Sequence, residues 1–290
     1  MSWIFFIVLH LAVFTLVTYL NKTLLRKLDP LQVLFFQYIG SFFNVLAIGM
    51  IKNKGVFFEV SNAWLVFIGV LFAFGVFAMN KAIKINLSRT FMVNQLTGLV
   101  SIILSTIFLS EYLLFDPGTL KGILLIFSLP LSFMSVIFLK GFGKGRVSNS
   151  WVFWSIVFII IIGGSMFLVK VFVADISPLE VLLFQYIGSF FTMSIVGIIT
   201  KVRLRLGRKL VLKSILVGIL MSTSLSFLYT SYSLAPLAYV QLAQRLGTTL
   251  IGVLLGLFVF KESRTLNRKS TLGMLLGFIS LILILISSIV

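Results

Sequence analysis

The chain has 290 residues, 60% of them hydrophobic and only 11% charged, with a mean hydropathy of +1.17. A water-soluble domain carries about 25% charged residues, so this composition excludes a soluble fold and calls for a bilayer as the solvent of its apolar surface. The net charge of +17 and the single histidine come with no cysteine at all, which excludes disulfides, thiol catalysis and a histidine-rich metal site.

In chain order, the runs long enough for a spanning helix of about 20 residues are 2–20, 31–51, 62–82, 88–109 and 118–139, then 151–173, 179–199, 211–233, 236–260 and 270–289. The first lacks a basic leading segment and a small-residue cleavage site, which predicts a retained helix and not a signal peptide. Pro30, Pro117, Pro178 and Pro236 stand at predicted helix starts. Pro130 falls inside a span, where a kink is expected. The predicted fold is an all-α membrane protein with ten transmembrane helices.

Internal repetition organises these runs. Residues 30–43 read PLQVLFFQYIGSFF and residues 178–191 read PLEVLLFQYIGSFF, an offset of 148 that extends back to Trp3/Trp151 and Lys22/Lys170. Apolar composition alone does not align Pro, Gln, Tyr, Gly and Ser in register. Farther on the offset is 151, pairing Glu111 with Glu262 and Gly122 with Gly273. The expected organisation is therefore a five-helix repeat at 1–140, a linker at 141–150 (GFGKGRVSNS) and a second five-helix repeat at 151–290. An odd number of crossings turns the second copy upside down, which predicts an inverted repeat.

Basic residues test that arrangement. Of the 24 Lys and Arg, 19 fall in the odd-numbered connections, four in the even-numbered ones (Lys52, Lys54, Lys121, Lys170), and Arg245 lies within a span. Their clustering between apolar runs fits topology signals and contacts with anionic membrane lipid; a nucleic-acid partner is not expected. By the positive-inside rule the basic-rich side is cytoplasmic and both termini are outside.

Gly163–Lys170 (GGSMFLVK) followed by Ser177–Tyr186 (SPLEVLLFQY), with Glu111 and Glu262 closing long apolar runs in FLSEYL and FVFKES, resembles the EamA family of the drug/metabolite transporter superfamily. The resemblance covers essentially the whole chain and implies two five-helix repeats, a transport function and cytoplasmic termini. That last implication opposes the charge count. The chain also departs from the family at Gln37 and Gln185, where members often have Arg, and at Gly98 and Thr249, where they often have Pro.

Polar side chains inside a membrane are costly, roughly 2.5–3.5 kcal/mol for a central Arg on insertion scales, and so mark candidate function. Arg245 is a cation well inside a span, with Gln241 four residues before it on the same face. Its fork of donors suits an anionic group; snorkelling or a structural pairing with backbone carbonyls is the competing role. Asn94 aligns with Arg245 at the 151 offset, and Gln95 is its neighbour. Gln37, Gly40, Ser41 and Asn44 form a small/polar stripe that Gln185, Gly188, Ser189 and Thr192 repeat; the two glutamines suit site lining and helix cross-linking equally. His10 suits proton acceptance, substrate contact or a structural hydrogen bond. Tyr38, Tyr186, Tyr229, Tyr232 and Tyr239 suit the lining of an amphipathic pocket or, by default, interfacial anchoring.

The seven carboxylates all lie at or beyond predicted helix ends, which disfavours proton-coupled export of organic cations. The expected function is a secondary transporter in the cell (plasma) membrane, moving a small polar metabolite that bears a carboxylate or similar anion, amino acids included. An intramembrane enzyme acting on lipid or peptide would need an acid–base pair or activated nucleophile, and a lipid-handling or scaffold protein would need no central polar face. No cofactor is expected.

Overall fold

The structure, a computed structural model, describes residues 2–53, 57–139, 148–202, 206–261 and 268–288. Its helices are α1 (Trp3–Leu25), α2 (Pro30–Asn53), α3 (Val66–Ile85, preceded by a 3-10 segment at Val60–Leu65), α4 (Leu87–Val93), α5 (Gln95–Phe108), α6 (Leu120–Leu139), α7 (Asn149–Phe172), α8 (Pro178–Ile199), α9 (Arg208–Leu234), α10 (Leu237–Leu254, followed by a π-helical turn at Leu255–Val259) and α11 (Arg268–Ser287). Among the described residues there is no strand. Among the described residues eight stretches are long and apolar enough to cross a membrane, with α4 and α5 together forming one of them, Leu87–Phe108. Leu120–Ser135 and Leu275–Ser287 are shorter apolar stretches. Most of the expected linker and Glu262, Arg203, Arg205 and Arg264 lie outside the described residues.

Sequence chemistry sets the helix starts. Asp29 Oδ1 accepts from Leu31 N at 2.9 Å and Ser177 Oγ accepts from Glu180 N at 3.2 Å, so each repeat places a short capping side chain before its Pro-Leu pair. Pro130 stands inside α6 without ending it.

The same packing occurs twice. Cβ atoms added at Gly40 and Gly218 would lie 2.3 Å from Ile215 O and 2.0 Å from Gln37 O, so α2 and α9 touch backbone to backbone. Cβ atoms at Gly188 and Gly69 would lie 2.1 Å from Val66 O and 2.1 Å from Gln185 O, which gives α8 and α3 the same contact. Ser41 Oγ donates to Gly218 O at 2.8 Å, and Ser189 Oγ donates to Gly69 O at 2.9 Å. Small residues let the helix axes approach, and the serines then hydrogen-bond across the seam. Each contact joins a helix of one sequence repeat to a helix of the other.

Two lysines end helices in matching places. Lys22 Nζ donates to Ile83 O at 2.6 Å near the end of α3, and Lys170 Nζ donates to Tyr232 O at 2.6 Å and Ala235 O at 2.9 Å where α9 ends. The last carbonyls of a helix lack intrahelical partners, and in a low-dielectric setting leaving them bare is costly. Across the same α9–α10 junction, Glu111 accepts from Leu237 N at 2.7 Å, Ala238 N at 3.0 Å and Ser105 Oγ at 2.9 Å. A carboxylate of the first repeat thus caps a helix of the second, where backbone N–H groups and the helix dipole favour negative charge.

Glu111 and Glu180 lie at helix ends, as read from sequence, yet both are buried. Glu180 Oε1 accepts from Glu59 N at 2.7 Å and Asn62 Nδ2 at 3.0 Å, tying α8 to the segment before α3. The tyrosine expectation needs correction. Tyr38, Tyr186, Tyr229, Tyr232 and Tyr239 are all buried and are not interfacial anchors, because neighbouring helices pack over positions that the linear sequence cannot orient; Tyr38 instead lines a central pocket, the other role that the sequence allowed.

Candidate functional site

A central cavity lies between the two sequence repeats. His10, Phe14, Thr18 and Asn21 of α1, Gln37 and Tyr38 of α2, Asn80 of α3 and Asn94 line it from the first, and Ile162 and Met166 of α7, Leu225 of α9 and Gln244, Arg245 and Thr248 of α10 from the second. The space open to water-sized molecules is ≈ 70 Å³, room for about five waters. That suits a small solute.

Arg245 is buried at 6% exposure and does not snorkel. Its Nε donates to Gln241 Oε1 at 3.0 Å and its Nη1 donates to Asn94 Oδ1 at 3.2 Å, while the buried Nη2 has no hydrogen-bond partner among the described residues. Local backbone geometry makes room for this group. The helical pattern is interrupted at Asn94, between α4 and α5, where Thr97 Oγ1 donates to Asn94 O at 2.6 Å. One turn on, Gly98 leaves space for the Arg245 stem, since a Cβ there would sit 2.9 Å from Arg245 Cγ. No carboxylate pairs with Arg245 among the described residues; the ion pair found there is Lys81 with Asp29 at 3.5 Å. The cation is therefore held by neutral amide oxygens and keeps one free donor.

Gln241 extends the arrangement away from the cavity by donating from Nε2 to Tyr232 Oη at 2.6 Å. Gln241 and Gln95 line a smaller pocket on the other side of Arg245, and Gln95 Oε1 accepts from Ser132 Oγ at 3.4 Å. Gln185 lines neither space; its Oε1 accepts from Tyr229 Oη within the buried tyrosine cluster.

His10 is fixed by protein on both ring nitrogens. Its Nδ1 lies 3.0 Å from Ser224 O, a group that only accepts, which puts the proton on Nδ1. Its Nε2 then accepts from Gln244 Nε2 at 3.5 Å. Gln37 belongs to a chain of amides. Its Nε2 donates to Asn21 Oδ1 at 3.0 Å, and Asn21 Nδ2 donates to Asn80 Oδ1 at 2.9 Å. Asn21, Asn80, Thr18 and Gln244 are cavity residues that sequence reasoning missed. Asn21 and Asn80 lie near predicted helix ends, where amides ordinarily cap or face water, and their mutual contact is long-range.

A solved crystal structure of another protein aligns with 93% of this chain and 96% of its own length, with a TM-score of 0.63 and 13% identity. At that identity the likeness establishes the shared fold alone. No curated protein matches. The apolar helices make the chain a multi-pass membrane protein, and its residues 1–129 match the model of the EamA-like transporter family, the family that its motifs resemble.

Proposed function

We propose that this protein is a secondary transporter that carries a small polar metabolite with a carboxylate or similar anionic group across the cell membrane. The observation that carries the reading is Arg245, a buried cation that lines a cavity shared by both repeats, with an unpartnered Nη2 and no carboxylate partner among the described residues. A desolvated cation without a counter-charge attracts an anion strongly. The solute's anionic group binds Nη2 while Gln241 and Asn94 hold the guanidinium plane in position. Gln37 and His10 shape the walls through their neighbours, and Gln95 and Gln185 stand behind them.

The recurrence of the Gly–Gly contacts and of the lysine clamps at equivalent positions supports reading the chain as ten spans in two inverted five-helix repeats. Such a pair allows alternating access, with the repeats rocking around a fixed central site. Uptake of labelled metabolites into vesicles reconstituted with the full chain tests the proposal. The expected result is accumulation of a carboxylate-bearing solute that Arg245→Gln abolishes. Equal uptake by the variant removes the anionic-solute reading.

A further inference from the structure

Four residues that line the central cavity carry a buried side-chain polar atom without a hydrogen-bond partner among the described residues: Thr18 Oγ1, Asn80 Nδ2, Gln244 Oε1 and Arg245 Nη2. Buried polar atoms are ordinarily paired, because an unpaired one costs about 1–3 kcal/mol. Their concentration around one space points to a ligand that pairs them.

These atoms belong to distinct groups. Arg245 and Gln244 are neighbours on α10, and Gln244 contacts His10 of α1. Asn80 is held by Asn21, eleven residues farther along α1 and roughly 16 Å along its axis from His10. Thr18 is the turn before Asn21. Phe14 and Val17 line the stretch of α1 between them.

The amide chain that ends at Asn80 has a direction. Gln37 donates to Asn21 and Asn21 donates to Asn80, so the carbonyl oxygens of Asn21 and Asn80 are both used within the chain. What remains at its end is a donor, Asn80 Nδ2, beside the unpartnered Thr18 hydroxyl. Successive amide bonds polarise one another and strengthen that terminal donor.

We infer that Asn80 and Thr18 form a second recognition pole, and that the transported solute is bipolar: an anionic head bound by Arg245 and, across an apolar segment, a hydrogen-bond-accepting oxygen bound by Asn80. This rests on the anion-binding role proposed for Arg245 and adds the chemistry of the solute's other end. Asn80 and Thr18 are specificity-determining residues, because a solute with an apolar far end leaves their buried atoms unpaired.

The test compares acids that differ by one hydroxyl at equal charge. Dissociation constants of the purified full-length chain are measured by calorimetry for butyrate, valerate and hexanoate and for 4-hydroxybutyrate, 5-hydroxyvalerate and 6-hydroxyhexanoate. At one chain length or more, the hydroxy acid binds about tenfold more tightly than the plain acid. Thr18→Val removes a hydroxyl that holds nothing in the protein, and Asn80→Leu removes the free donor without adding a charge that would repel the acids. Both variants reduce the preference to less than about twofold while leaving the plain acids bound as before. Equal binding of plain and hydroxy acids at every length, or an unchanged preference in both variants, overturns the second pole while the anion site stands. Failure of all six acids to bind, or binding that Arg245→Gln leaves intact, overturns the anion reading and this inference with it.

Discussion

In the proposed function Arg245 carries the heaviest weight per side chain, and its contacts define what substitutions do. Gln241 and Asn94 offer it carbonyl oxygens at 3.0 and 3.2 Å, arranged for a planar fork. Lysine keeps the charge but concentrates it at one point and cannot reach both amides together with a solute. Arg245→Lys is therefore expected to fold and to retain roughly a tenth of the uptake rate in reconstituted vesicles, where Arg245→Gln retains none. Glu111 makes a different case. Its carboxylate accepts three hydrogen bonds, two of them from the first N–H groups of α10. Glu111→Ala is expected to destabilise the protein by about 2 kcal/mol, and Glu111→Gln by about half as much because one acceptor remains. Thermal midpoints of the detergent-purified variants check the order; a stable Ala variant would show that the cap is dispensable.

Among whole elements, the crossings of α2 with α9 and of α3 with α8 hold the cavity walls together. The backbone oxygens facing Gly40, Gly69, Gly188 and Gly218 stand 2.0 to 2.3 Å from where a Cβ would sit, and backbone cannot rotate away. Alanine at any of the four is expected to force the helices apart and cost about 3 kcal/mol or prevent folding. Gly164 in α7 has nothing within 4 Å of its Cβ position, so Gly164→Ala is the matched control and should leave the thermal midpoint within about 1 °C or raise it slightly through helix propensity. Size-exclusion profiles across a temperature series measure both. The helix positions were legible in the sequence to within a few residues, because Pro, capping side chains and apolar length act locally. The interruption at Asn94 was not, since Gly98 and the Arg245 stem, on different helices, jointly shape it.

For the whole molecule, orientation is the open physical question that charge answers. The connections rich in Lys and Arg include the segment before α9, where Gly207 is exposed with open space around it. The connection between α7 and α8 is poor in basic residues and exposes Ala174. The positive-inside rule predicts that the first faces the cytoplasm and the second the outside. With no native cysteine to interfere, an impermeant thiol reagent applied to intact cells should label Ala174→Cys and spare Gly207→Cys. The reverse pattern would place both termini in the cytoplasm, as the family resemblance implies.

The sequence by itself determined the solvent, the helices and the duplication, because hydropathy, helix-starting residues and register matches are properties of contiguous residues. It also singled out Arg245, Gln241 and Asn94, since a cation inside an apolar run is conspicuous without any structure. Only the tertiary structure decided that Gln185 points into a tyrosine cluster and not into the cavity, that Glu111 closes a helix of the other repeat, and that Asn21 and Asn80 meet across 59 residues of chain. Those roles depend on which buried polar group finds which partner across a helix seam. That pairing is fixed by the three-dimensional packing of glycine-lined helices, which linear spacing does not encode.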